Sequence, residues 1–200
     1  MIQLHFIGDG ERDEAVLPRL VARILNTPVA ETTGKWARLH TSAGRGYGRK
    51  LRFAIRQAQV IGAKGLVATV DSDRDRQGRR LLALRQERDT AHASTPPFPV
   101  ALGQAIPHGE AWLLDDAFTV RSVLALSTKK KIPTLRQTKN PKAALEHLLS
   151  QSKRAADPPR QVWAEIAAQL DPSRCRHAAK TGFQSFADDV RRELSPLVTT

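Results

Sequence analysis

Apolar residues fall into two kinds of pattern along this chain. The block 65–70 (Gly-Leu-Val-Ala-Thr-Val) is continuous rather than alternating, which predicts a strand covered on both faces, as in a parallel sheet. Residues 2–8 and 100–106 predict two further strands, and 28–31 a short one. Between them the spacing turns helical. Val16, Leu17, Leu20, Val21, Ile24 and Leu25 mark a helix over 14–25, with Pro18 in its first turns, where proline is best tolerated. Leu51, Ala54, Ile55, Ala58 and Ile61 mark another over 50–61, with Gly62 as a stop signal, and 76–91 reads as a charged amphipathic helix. Beyond residue 106 only helical patterns follow, at 110–114, 118–126, 141–150, 162–170 and 183–194, with 127–140 and 153–159 as linkers. The order βαβαβαβ followed by helices predicts an α/β fold. Its Rossmann-like, mostly parallel sheet occupies 1–106, and 107–200 forms a helical extension packed on that core.

The strand 65–70 runs into Asp71-Ser72-Asp73-Arg74-Asp75. Alternate residues of an extended segment point the same way, so Asp71 and Asp73 converge. Ligands gather at the carboxyl ends of parallel strands. Anions held close together either shift their pKa values or gather a cation, and hard oxygen donors suit Mg2+ or Mn2+. The first strand ends in a similar loop, Gly8-Asp9-Gly10-Glu11-Arg12-Asp13. For Asp13, capping of the following helix competes with a metal role. The two loops share one sheet edge if the first and third strands are neighbours.

Composition narrows the partners. The 200 residues carry a net charge of +12, which favours a polyanion, most simply nucleic acid. A basic loop and helix supply Lys35, Arg45, Arg49, Lys50 and Arg52 as candidate phosphate contacts. Lys129, Lys130 and Lys131 are a second candidate group, although such runs are most often simply solvated. Cys175 is the only cysteine, which excludes an internal disulfide framework. No apolar stretch reaches membrane-spanning length, and a cytoplasmic setting is the simplest expectation. Tyr47 reads as a stacking or packing residue. Among the histidines only His108, two residues before Glu110, is placed near a site, and a plain loop histidine is the better-supported reading even there.

An acid-Gly-x-x-Asp loop after the first strand, with Asp-x-Asp after a later one, resembles the Toprim domain of primases, topoisomerases, recombination mediators and OLD-type nucleases. Here Asp9 stands where that family usually has Glu. The segment Glu110-Ala111-Trp112-Leu113-Leu114-Asp115-Asp116, the Pro141-to-Leu145 segment and the Phe183, Phe186, Asp189 spacing are similar to compact stand-alone Toprim proteins associated with phage defence. The resemblance implies Mg2+-dependent (or Mn2+-dependent) cleavage of DNA or RNA. Asp9, Asp71, Asp73 and Glu110 would be the catalytic acids, and Asp9, Asp13, Asp71 and Asp73 the metal ligands. It also implies a separate ATPase subunit, since the chain has no Walker motif. The alternative is a non-catalytic nucleic-acid-binding or assembly subunit with a degenerate Toprim site. A haloacid-dehalogenase-like phosphotransferase is weaker, because that class places its paired Asp after the first strand. Trp112, Leu113 and Leu114 are expected in the core.

Overall fold

The structure is a computed structural model that describes residues 1–39, 46–72, 75, 77–93 and 97–198. Strands β1 (Ile2–Gly8), β2 (Val29–Lys35), β3 (Gly65–Asp71) and β4 (Val100–Ala105) form one all-parallel sheet in the order β2-β1-β3-β4. Helices α1 (Glu11–Leu25), α2 (Tyr47–Val60) and α3 (Arg79–His92) connect them. Six more follow: α4 (Glu110–Asp115), α5 (Ala117–Val123), α6 (Pro141–Ser150), α7 (Pro159–Gln169), α8 (Ala178–Thr181) and α9 (Phe183–Leu194). The protein is therefore an α/β fold with a parallel sheet between helical layers.

Side-chain alternation assigns each face of the sheet. Leu4 and Phe6 of β1, with Val67 of β3, point into a core shared with α1, α7 and α9. Ile7, Leu66, Ala68 and Val70 point the other way, onto α2 and α3. Both faces are apolar, so the inner strands read as continuous hydrophobic runs. The residues beyond 106 supply much of the first layer. Trp112 is 1% exposed, stacks on Phe186 at 4.9 Å and donates its indole N–H to the Thr181 carbonyl at 2.7 Å. Asp189 of α9 accepts the backbone N–H of Leu102 at 2.7 Å and pairs with Arg88 of α3 at 2.8 Å, fastening the last helix to the sheet edge.

Several boundaries differ from the sequence reading. β2 runs to Lys35 rather than stopping at 31; its Ala-Glu-Thr-Thr-Gly stretch carries no apolar signal because this is an edge strand. α1 begins at Glu11, three residues before the start expected at Glu14, so Pro18 lies deeper inside the helix. A proline there leaves the Glu14 carbonyl without its helical donor. The helix read over 118–126 stops at Val123, and Ala125 takes a positive φ of 48°. α6 is capped by Asn140, whose side chain accepts the Ala143 N–H at 3.0 Å. N140A is expected to lower the unfolding free energy by about 1 kcal/mol and N140D to leave it nearly unchanged, as read from urea denaturation. No helix among the described residues is long and apolar enough to cross a membrane.

Candidate functional site

The chain leaves β1 outward to β2, then returns across the sheet to place β3 on the other side of β1. The strand order reverses between β1 and β3, the point at which open parallel sheets bind ligands. Asp9 follows the end of β1 and Asp71 ends β3, so the sheet order puts both at this crevice. The Asp9 carboxylate accepts the backbone N–H of Asp71 at 2.8 Å, holding the two strand ends together.

Asp13 enters from the first turn of α1. That turn lies so close to the strand that a Cβ on Gly8 would stand 2.3 Å from the Asp13 Cβ, and only glycine permits the approach. Asp13 accepts the Gly10 N–H at 3.0 Å, so it does serve as a helix-start acceptor. It also sits among other anions. Burial, then the neighbouring Asp71 charge, with Asp9 and Glu110 adding to it, raises its carboxyl from 3.8 to about 7, against the opposing pull of the Gly10 N–H. The two readings of Asp13 are thus compatible.

Two further groups complete the crevice. His108 follows β4 and brings Nδ1 to 3.3 Å from an Asp71 carboxylate oxygen. Its loop is tied to β3, since the Ser72 N–H donates to the Ala105 and Pro107 carbonyls at 2.9 and 3.1 Å. Glu110 opens α4 but accepts from the Arg12 guanidinium at 2.8 Å, and Arg12 reaches Glu146 of α6 at 2.6 Å. A carboxylate so compensated is a weaker candidate for proton transfer than Asp13. Asp75, the third acid of the alternating set, is occupied in capping: it accepts the N–H groups of Arg79 and Arg80 at 2.9 and 2.7 Å.

Asp9, Asp13, Asp71 and Glu110 line a cleft of about 750 Å³ that Asn140, Lys142 and Arg160 also line. Acids and cations lining one cleft suit a phosphodiester, the cations holding its backbone and the acids a metal ion at its phosphorus. Among the described residues, no group of three or more acidic, histidine or cysteine side chains is gathered as a ready metal site. Asp73 lies outside the described residues. The donor chemistry nonetheless fits a hard cation. Burial first, and then the nearby charges of Asp71, Asp9 and Glu110, raise the Asp13 carboxyl, and a cation held among these oxygens would offset those charges.

Among the described residues, none of the basic residues singled out in the sequence lines this cleft. Lys35 pairs with Glu11 at 3.0 Å and Arg52 clasps Glu87 at 2.6 and 2.8 Å. Lys50 is buried, with its ammonium 5.5 Å from the Tyr47 ring, and Tyr47 packs edge-on against Trp36. Arg49 is exposed, and Arg45 lies outside the described residues. Lys129 and Lys131 are exposed between α5 and α6, while Lys130 bonds Gln151. The cations that do line the cleft, Arg12, Lys142 and Arg160, were not singled out. Lys142 lies within the Pro141-to-Leu145 segment noted above, and Arg12 within the Asp9-to-Asp13 loop, so both sit in motifs visible in the sequence, whereas Arg160 lies in none. No protein-family model, curated protein or solved structure matches this chain.

Proposed function

We propose that the chain is a divalent-metal-dependent nuclease of the Toprim class, cleaving phosphodiester bonds in DNA or RNA. The observation that carries this reading is the meeting of Asp9, Asp13 and Asp71 at the switch point between β1 and β3. Asp9, Asp13 and Asp71, joined by Asp73, would hold the ion, which supplies charge neutralisation of the phosphate and acidification of a bound water. The remaining work falls to the protein. Arg12 holds Glu110 and Glu146 and so fixes α4 and α6 against the first loop. Lys142 and Arg160 bind the phosphates flanking the scissile one. His108, hydrogen-bonded to Asp71, is placed to take part in proton transfer at the cleft.

The deciding experiment incubates the purified chain with plasmid and with RNA in Mg2+, Mn2+ or EDTA, alone and with any ATPase encoded beside it. Cleavage that requires the metal supports the reading. Binding without cleavage in every combination favours the second reading, a nucleic-acid-binding subunit; the commitment of Asp9 to a backbone N–H and of Glu110 to Arg12 is what supports that alternative. Under either reading, K142A and R160A each weaken nucleic-acid affinity and lower the slope of log K against log salt by about one, measured by fluorescence anisotropy.

A further inference from the structure

A second pocket lies on the opposite face of β1 from α1. Helix α2 packs over β3 and β1 and leaves the edge strand β2 half-covered. A cavity of about 510 Å³ opens there, with His5, Ile7 and Gly34 as its floor. It shares no lining residue with the acidic cleft.

The floor holds an unanswered polar atom. His5 is only 6% exposed. Its Nδ1 lies 2.8 Å from the Thr32 hydroxyl, while Nε2 is buried with no hydrogen-bond partner. Burial lowers the pKa of His5, so the ring stays neutral and keeps one donor and one acceptor nitrogen. A Cβ on Gly34 would stand 2.8 Å from Ile7 Cδ1 and 3.8 Å from His5 Nε2, so only glycine lets Ile7 pack this closely beside the imidazole. A buried, unpartnered nitrogen on a residue that lines a cavity is a place for a ligand's hydrogen-bonding atom.

The walls and rim narrow the ligand further. Leu39, Phe53 and Val60 give an apolar wall, and Val60 is 87% exposed, more than an isolated core wall would leave. At the rim stand Lys35, Arg38 and Arg56. Lys35 and Arg38 share Glu11 and Glu14 at 3.0 and 3.3 Å, whereas Arg56 is exposed with no ion-pair partner among the described residues. An inorganic anion would answer the rim alone. An aliphatic acid would answer the rim and walls but leave Nε2 unpaired. A flat heteroaromatic ring carrying a phosphate answers all three. We propose that this pocket binds a nucleoside monophosphate, with the base against Phe53 and Val60, a ring atom on His5 Nε2 and the phosphate on Arg56 and Arg38.

The proposal rests on the pocket and is independent of the nuclease reading. Isothermal titration of the full chain in EDTA with AMP and with CMP tests it, with inorganic phosphate, adenosine and hexanoate as comparison probes. One AMP or CMP per chain is expected at a Kd below about 1 mM, with each comparison probe at least about tenfold weaker. R56E, an exposed substitution that leaves the fold intact, and H5L each weaken AMP at least about tenfold. D71A binds AMP as the wild type does. The proposal fails if neither nucleotide binds below about 1 mM, if hexanoate or phosphate matches AMP, or if binding survives R56E. It fails equally if D71A abolishes binding, which would move the nucleotide to the acidic cleft.

Discussion

D71A is expected to lower metal-dependent cleavage by at least about a hundredfold while leaving the protein folded. Removing a group that only orients a metal ligand commonly costs about 10- to 100-fold, and Asp71 is assigned a ligand role itself. The fold should survive for a specific reason. It is the Asp71 main chain, not its carboxylate, that donates to Asp9, and the Arg80 guanidinium likewise donates to the Asp71 carbonyl at 3.0 Å. Alanine keeps both bonds. It also removes one of the charges that raise Asp13, so the melting temperature at pH 8 should match or exceed that of the wild type. The measurement pairs a plasmid and RNA cleavage time course with thermal unfolding of the same preparation. Full activity in a folded D71A protein would falsify the assignment of the cleft. D71N should be nearly as inactive as D71A, because a neutral amide is a poorer ligand for a hard cation than a carboxylate.

The second large effect is on stability, and it depends on pH. A carboxyl whose pKa rises on folding from 3.8 to about 7 binds its proton more tightly in the native state than in the unfolded chain. Below pH 4 it is protonated in both states and contributes nothing. Between pH 4 and pH 7 stability falls as pH rises, and above pH 7 the full penalty is present, on the order of a few kcal/mol. Asp13→Asn removes the titration while retaining an oxygen that can accept the Gly10 N–H. D13N should therefore be more stable than the wild type at pH 8 by about 2–4 kcal/mol and nearly equal to it at pH 4. Guanidinium unfolding across that range measures the difference. Parallel profiles for the two proteins would mean that burial and the neighbouring carboxylates do not raise Asp13 on folding. The same repulsion predicts the response to metal. At pH 8, Mg2+ should stabilise the wild type and have a smaller effect on D13N, because only the wild type has that charge to neutralise.

The apolar sequence alone determined the architecture. The continuous run of β3 and the flanking helical periods specify a strand buried on both faces between helices, because hydrophobic burial is local in pattern even when its partners are distant. The same reading placed Asp71 at a strand end and Asp9 in the loop after another. What it left conditional was whether β1 and β3 are neighbours. Only the tertiary pairing of Leu4 to Ile7 with Gly65 to Ala68 decided that, since strand order is set by how helical layers pack and not by any residue within a strand.

Charged residues were the least legible. Lys50, Arg52 and Lys35 read as phosphate contacts because their type and density are visible in sequence, but their use depends on acids far along the chain or rings beside them. His108 and Arg12 gained their importance in the opposite way. An imidazole became relevant only when a loop after β4 was laid against the end of β3, and an arginine only when α4 and α6 brought Glu110 and Glu146 to it. Periodicity is repeated along a chain and so can be read from it; a single polar contact across many residues leaves no repeat, and only the folded structure discloses its partner.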